Sequence, residues 1–421
     1  MNRVLSFAAP VIISLSSAAA CAQDDSAVTT RQLTDQIYLF TTDQGAYTTN
    51  TIAFVGEDGV LLVDTQAESD AAALKSVVDA LAKGTPRYII NTHRHVEHIG
   101  GNAIFGPEPV VIAHDLLPEK LTKGSFVWEE YPPETFPDVT LSDSLTLFFN
   151  GEKIRIVALA GSHDDNEIIV HFTQSGVVHL SSVVNGFNFP SVDSDGDALM
   201  FAPLVARAIE LLPEDVILVS GHGDPGSTSQ LPAYHDMMVE TARVVKAGLD
   251  AGKDLATLQE ARVLEPWASY AGSYVSAEEW TELLFNAFEA RDEPDDQPAK
   301  KDIYGPLFHA WKAGGAEAAI ERFFELKKDS ADGYEITEME LLIIGDKMLD
   351  KHRIPDAIRF LEVNLAQYPD GEYAFYGHYD LARAYQEQAD KESAVRHCKK
   401  AVEMNPDFAR ASELLEELKK M

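Results

Sequence analysis

From about residue 30 to 245 the chain alternates short apolar runs with amphipathic stretches. Ile37-Tyr38-Leu39-Phe40, Thr51-Ile52-Ala53-Phe54-Val55 and Val60-Leu61-Leu62-Val63 predict strands, with Glu57-Asp58-Gly59 as the turn between the last two. Ala72, Leu74, Val77, Val78 and Leu81 recur at helical spacing and predict a helix over 69–82, stopped by Lys83-Gly84. Tyr88-Ile89-Ile90 is a further strand. Others fall at Val110-Val111-Ile112, Leu145-Thr146-Leu147-Phe148, Ile154-Arg155-Ile156-Val157, Ile168-Ile169-Val170-His171-Phe172 and Val177-Val178-His179-Leu180. Such alternation predicts an α/β domain with several sheet segments.

The pattern then becomes helical. Residues 246–290 read as helices, and 290–302 is charged and carries Pro294 and Pro298, which predicts a linker. Beyond it the chain repeats itself. Ala357-Ile358-Arg359-Phe360-Leu361 through Tyr368-Pro369-Asp370 matches Ala394-Val395-Arg396-His397-Cys398 through Asn405-Pro406-Asp407, at an offset of 37 residues. Ile344-Gly345 with Met348 matches Leu381-Ala382 with Tyr385, and a fainter copy starts at Ala319-Ile320. These residues resemble the tetratricopeptide repeat, a helix–turn–helix unit of about 34 residues. The resemblance implies stacked helix pairs over 303–421 that bury a shared core and offer a groove to a protein partner or a second copy. A plain helical extension is the alternative.

At the N-terminus, Arg3 precedes an apolar stretch from Val4 to Ala20, and Ala20-Cys21-Ala22 has the small-residue form of a cleavage site. This predicts a signal peptide over 1–22 and a periplasmic or secreted protein, with a lipid anchor at Cys21 as the alternative. The stretch is short for a membrane span. After cleavage Cys398 is the one cysteine left, so no intrachain disulfide forms. Acidic residues outnumber Lys plus Arg by 68 to 34. That excess argues against sequence-independent nucleic-acid binding and against anionic membrane surfaces. The expected division is a domain over 23–245, a helical extension and linker over 246–302, and the repeat domain over 303–421.

The chemistry concentrates in Thr92-His93-Arg94-His95-Val96-Glu97-His98-Ile99-Gly100-Gly101. Three histidines and a carboxylate share six positions, and zinc takes neutral imidazole and carboxylate readily. An i, i+2 histidine pair suits a loop or strand end, where alternate side chains face one way. Two more histidines sit in glycine-flanked turns: His163 in Gly161-Ser162-His163, and His222 in Gly221-His222-Gly223-Asp224 after a strand-like run.

Taken together these residues resemble the metallo-β-lactamase superfamily of zinc hydrolases, over roughly residues 30 to 245. The resemblance implies an αββα sandwich with metals on loops at one edge of two packed sheets. It places His93, His95 and His163 on a first zinc and Glu97, His98 and His222 on a second. Asp64, at the end of Val60-Leu61-Leu62-Val63-Asp64, supports the metal loop from behind. Two positions depart from the pattern. Glu97 stands where the family has Asp, and Ser182 stands where it has a metal-bridging carboxylate. Glu97 keeps the charge on a longer arm. Ser182 removes a ligand, so the first zinc is held firmly and the second more weakly. A mixed nitrogen and oxygen site also accepts iron or manganese.

The implied function is a hydrolase of a small-molecule ester, lactone, thioester or β-lactam, with Glu97 orienting the nucleophilic water and shuttling its proton. The alternative is a catalytically weakened metal-binding scaffold whose repeats hold a partner. The segment from Val184 to Asp193 reads as a wall of the pocket; within it Phe187, Phe189 and Pro190 either contact substrate or pack in the core, and residues 126–136 read as a lid loop.

Overall fold

The structure, a computed structural model, describes residues 28–420 except 44–46, 82–83, 123–130, 194, 273–274, 293–302, 329–333, 335, 372 and 407. The leader expected over 1–22 and part of the expected lid loop lie outside the described residues. The chain divides into two compact units, one of residues 1–119 and 131–294 and one of 120–130 and 295–421.

In the first unit, strands β1 (Thr29–Gln32), β2 (Ile37–Asp43), β3 (Thr48–Gly56), β4 (Gly59–Val63), β5 (Tyr88–Ile90), β6 (Val110–His114) and β7 (Val139–Leu141) form a seven-stranded sheet in that order. β1 to β4 pair antiparallel; β4 to β7 pair parallel. Strands β8 (Ser144–Phe149), β9 (Glu152–Ala158), β10 (Ile168–Phe172), β11 (Val177–His179), β12 (Ile217–Val219) and β13 (Gly226–Ser227) form the second sheet, in the order β13-β12-β11-β10-β9-β8.

Alternation along the strands explains the layers. Ile37, Leu39, Ile52, Phe54, Leu61 and Val63 of the first sheet meet Ile154, Ile156, Ile168, Val170 and Phe172 of the second, and this is the core between the sheets. The opposite face of the first sheet (Phe40, Ala53, Leu62, Ile89, Val111) takes Leu74 and Val78 of helix α1 (Glu68–Leu81). The opposite face of the second (Ile169, Val178, Leu218) takes helices α4 (Phe201–Leu211), α5 (Leu231–Asp250) and α7 (Ala277–Asp292). Two short helices, α2 (Val96–Ile99) and α3 (Leu117–Thr122), precede them, and α6 (Leu255–Glu260) lies between α5 and α7. The result is the expected αββα sandwich.

Position 245 falls inside α5, where Val245 is fully buried, and Trp280 of α7 is buried in the same core. The helical stretch after 245 therefore completes the outer layer of the sandwich. Burying a Trp-sized side chain there is worth about 3–5 kcal/mol against its truncation to Ala. Phe189 stacks on Trp280 at 6.0 Å and is fully buried, and Phe187 packs edge-on against Tyr234 at 5.6 Å. Both aromatics belong to the core rather than to a pocket wall.

The second unit is helical among its described residues. It contains α8 (Tyr304–Lys328), which bends at Gly314-Gly315 where Gly315 takes φ 73, then α9 (Met339–Asp350), α10 (Ile354–Gln367), α11 (Ala374–Glu387), α12 (Lys391–Met404) and α13 (Ala409–Lys420). Helices α10 and α12 are both 14 residues long and start 37 residues apart, the offset of the sequence match. Cys398 is a buried free thiol on α12. No helix among the described residues is long and apolar enough to cross a membrane.

Candidate metal centre

Loops at one edge of the sandwich carry the expected side chains, and both sheets contribute. From the first sheet, β4 runs into Asp64 and β5 into His93 and His95, with Glu97 and His98 on α2. From the second sheet, His163 lies between β9 and β10, Ser182 follows β11 and His222 follows β12. His95 caps α2 in an extended conformation (φ −65, ψ 143), and its carbonyl accepts from the His98 amide at 2.9 Å. Gly101 closes the run for a steric reason. A Cβ there would lie 2.1 Å from the Thr65 carbonyl oxygen, so only glycine lets α2 pass the end of β4.

Two groups of donors converge. One ligand atom each from His93, His95 and His163 lies within 4.8 Å of the others, and the same holds for Glu97, His98 and His222. His163 Nε2 and His95 Nδ1 are 3.3 Å apart; His98 Nε2 and His222 Nε2 are 3.4 Å apart. Glu97 stands between the groups, with Oε1 3.7 Å from His95 Nδ1 and 3.9 Å from His222 Nε2.

The other ring nitrogens face outward to acceptors, and this fixes which nitrogen of each ring is left bare. His98 Nδ1 meets Asp64 Oδ2 at 2.8 Å, His222 Nδ1 meets the Thr48 carbonyl at 2.8 Å, and His163 Nδ1 meets the Ser191 carbonyl at 2.9 Å. His95 Nε2 meets Asp193 Oδ2 at 2.8 Å, and His93 Nδ1 meets the Thr92 hydroxyl at 3.1 Å. A metal-binding histidine donates its second N–H in this way, which orients the ring and raises its basicity. Asp64 is fully buried with φ 66 and also accepts from Thr92 N and Thr92 Oγ1, both at 2.8 Å.

The donor set fits a divalent metal. His93 Nε2 is buried with no hydrogen-bond partner, a costly state for a polar atom unless something else occupies that direction. Burial, with the neighbouring imidazoles, holds the His93 pKa well below its ordinary value and takes His163 down to about 3 and His222 to about 4. These rings stay neutral, the form that binds metal. His95 differs: burial opposes its charge, but the Asp193 hydrogen bond and Glu97 outweigh burial and raise its pKa.

Ser182 joins neither group. Its amide donates to Glu167 Oε1 at 3.1 Å, and its hydroxyl is buried without a partner. Glu167 also accepts from Ser162 Oγ and the His163 amide, so it ties the His163 turn to the Ser182 turn. Burial and the nearby Asp164 push its pKa up to about 8.

Sequence reasoning did not single out Arg94, Asp193, Ser191, Thr48 or Glu167. Arg94 is 5% exposed; its Nε lies 2.7 Å from Asp164 Oδ2, and its guanidinium also pairs with Asp193. A charged residue between two histidines of one donor group is a visible signal, since it must be either solvated or paired.

Residues 45–222 match the model of the metallo-beta-lactamase superfamily. No curated protein matches the chain. Among solved structures, the chain is similar to the stereoselective inverting sec-alkylsulfatase Pisa1 from Pseudomonas sp., with TM-score 0.51 and 13% identity over 93% of this chain and 66% of that one. The chain thus spans about two thirds of the sulfatase's length, and the likeness is one of fold. Metallo-beta-lactamases from Pontibacter korlensis (TM-score 0.45, 18% identity, 50% of this chain, 99% of that one) and Hirschia baltica (0.43, 18%, 50% and 97%) are also similar.

Proposed function

We propose that the chain is an exported zinc-dependent hydrolase in which water attacks the carbonyl carbon of an uncharged ester, lactone, thioester or β-lactam and the acyl C–O, C–S or C–N bond breaks. The observation that carries this reading is the convergence of six donor atoms in two groups, five of them on imidazoles oriented from behind, with the His93 Nε2 of the first group left without a partner. His93, His95 and His163 would hold a first zinc, and Glu97, His98 and His222 a second. Bound zinc supplies a Lewis acid and lowers the pKa of water to about 7. Glu97, between the two groups, orients the nucleophilic water and accepts its proton. Asp64, Thr48, Ser191 and Asp193 hold the rings in place.

The choice of uncharged substrates rests on Arg94. Its charge is the cation acting on His95 and Tyr131 beside the site, and it is buried against Asp164 and Asp193. It is committed within the fold rather than aimed at a substrate anion. A net charge of −34 also disfavours anionic substrates in solution. The sulfatase neighbour makes alkyl sulfates the rival substrate class.

The leader-like N-terminus supports export to the periplasm or beyond. The 37-residue spacing of α10 and α12 supports reading residues 303–421 as a tetratricopeptide-like module that holds a partner or a second copy. A metal-binding scaffold without turnover is not favoured, because the changes at Glu97 and Ser182 leave six donors together.

The test uses the mature chain. Zinc per chain is measured, then turnover of aryl esters, lactones, thioesters, β-lactams and sec-alkyl sulfates, for wild type, His95→Ala and Glu97→Asp. The expected result is bound zinc and turnover of an uncharged carbonyl class, both reduced in His95→Ala. Turnover of the sulfate alone replaces the substrate class. A wild type inert on every class, with activity gained in Glu97→Asp, replaces the enzyme by the scaffold.

A further inference from the structure

We propose that strand β8 is a docking edge for a second copy of this chain, the two β8 strands pairing antiparallel about a two-fold axis.

The four sheet edges are not alike. An edge presents a row of unpaired N–H and C=O groups, and proteins blunt it with shortness, charge, proline or a bulge. β13 has two residues and β7 three. β1 has four and carries Arg31. β8 has six, Ser144-Leu145-Thr146-Leu147-Phe148-Phe149, with no charge and no proline. Among the described residues β8 pairs with β9 alone, so every second residue turns its backbone N–H and C=O away from the sheet. Phe148 is 75% exposed, more than any other large apolar side chain among the described residues.

The edge is also held ready. Asn150, just after β8, takes φ 50; its amide donates to Asp58 Oδ2 at 2.7 Å, and its side chain bonds the Asp58 amide at 2.8 Å and the Gly59 carbonyl at 3.1 Å. Just before β8, the Asp143 carbonyl accepts from the Ala158 amide at 2.8 Å. A strand fixed at both ends loses little further freedom on pairing.

Charge selects the occupant. At a net charge of −34, two copies repel each other over most of their surface, and the neutral β8 lets them meet without setting carboxylate against carboxylate. On the outward face, β9 places Lys153 opposite Phe148 and Arg155 opposite Thr146. In the dimer these cations face their own copies across three strand spacings, about 14 Å, which exceeds the Debye length of about 8 Å. The two-fold axis makes the strand its own complement. Residues directly opposite in an antiparallel pair share a face, so Ser144, Thr146 and Phe148 meet the same outward set and Leu145 and Leu147 the same inward set. Phe148 then leaves water against the outward residues of the other copy. Six residues give roughly 20 Å of shared edge. A contact of that length belongs with interfaces below about 1,200 Å², so the dimer is expected to be reversible, with Kd on the order of 10 µM.

The experiment is sedimentation velocity on the mature chain from about 1 to 200 µM, a range that brackets a small interface. Wild type is compared with Thr146→Lys, Phe148→Lys and a control, Val239→Lys, at an exposed apolar position on α5. Each β8 variant is expected to raise Kd at least about tenfold, and the control to stay within about 2-fold. Added salt is expected to tighten the wild-type dimer, because it screens the repulsion between two acidic bodies. Amide exchange over residues 144–149 is expected to slow with concentration in wild type and not in Phe148→Lys.

A wild type that stays monomeric throughout overturns the proposal. A dimer that both β8 variants leave within about 2-fold places the contact elsewhere and overturns it too. So does a dimer that salt weakens, which is an ionic contact. If the lysine variants do not fold, wild-type exchange decides: protection over 144–149 that is independent of concentration means a segment of the same chain covers the edge, and overturns the proposal.

Discussion

Replacing Asp64 by Asn changes one atom and should disconnect the second metal group while leaving the fold intact. Asp64 takes φ 66, a conformation that Asn adopts more readily than other non-glycine residues, so the backbone has no reason to move. The consequence lies in the hydrogen bonds. Oδ1 accepts from Thr92 N, and Oδ2 accepts from both Thr92 Oγ1 and His98 Nδ1. If the amide nitrogen takes the Oδ1 place, it meets the Thr92 N–H donor to donor. If it takes the Oδ2 place, it donates to Thr92 Oγ1 and to His98 Nδ1. His98 must then carry its proton on Nε2, the nitrogen 3.4 Å from His222 Nε2, and that proton occupies the lone pair a metal needs. Restoring the binding tautomer leaves a buried donor unsatisfied, which costs about 1–3 kcal/mol. At 1.4 kcal/mol per tenfold, that is roughly 5–150-fold in affinity. The first group keeps the Thr92 hydroxyl as the acceptor for His93. Zinc titration against a chelator, with the melting temperature of the metal-free protein as control, should show the second equivalent weakened and the first retained. An unchanged second equivalent, or equal loss of both, refutes the tautomer argument.

Two other side-chain environments in the protein have measurable consequences. A Cβ at Gly221 would lie 2.9 Å from His98 Cε1, so Gly221→Ala must displace that ring by a few tenths of an ångström. Turnover is expected to fall about tenfold, given that a 1 Å misplacement can cost about 100-fold, and unchanged steady-state kinetics would show that the ring position is not critical. In the helical unit, His378 Nδ1 lies 3.0 Å from His397 Nδ1, and burial, with His397 and Lys400, lowers the His378 pKa to about 4. Burial and Arg396 lower His397 too, and Tyr385 stacks on His397. The unfolded chain therefore binds more protons than the folded one between pH 6.5 and 4, so stability is full above 6.5 and is lost as pH falls through that window. Solvent screening limits the effect to about 1–2 kcal/mol. Denaturant midpoints against pH should show this slope in wild type and a flatter one in His378→Gln; equal slopes would remove His378 as the cause.

The strands and the five histidines were legible because each rests on a local signal. Ile168–Phe172 and Tyr88–Ile90 are continuous apolar runs, and the structure ends them at the residues the sequence suggests. Thr29–Gln32 is a strand without that signal: its polar residues pair with β2 at an edge, where water accepts them. Val139–Leu141 is simply too short to stand out. The end of the sandwich was misplaced at 245 because an amphipathic helix that covers a sheet and one that begins a separate domain share one periodicity. Asp193 closes the segment expected to wall the pocket, but nothing in the sequence marks it as a partner of His95. Its partner His95 is 98 residues away, and the pairing exists only once the loops of both sheets meet.

Because the first sheet supplies His93, His95, Glu97 and His98 and the second supplies His163 and His222, a bound ion would rivet the two layers against sliding. Loading and inter-sheet stability then rise and fall together, since a ligand that binds only the native state adds its binding energy to it. Chelation should loosen the whole sandwich. Conversely, a cavity opened between the layers at Phe172, which belongs to neither donor group, should surface in a screen as weakened zinc retention.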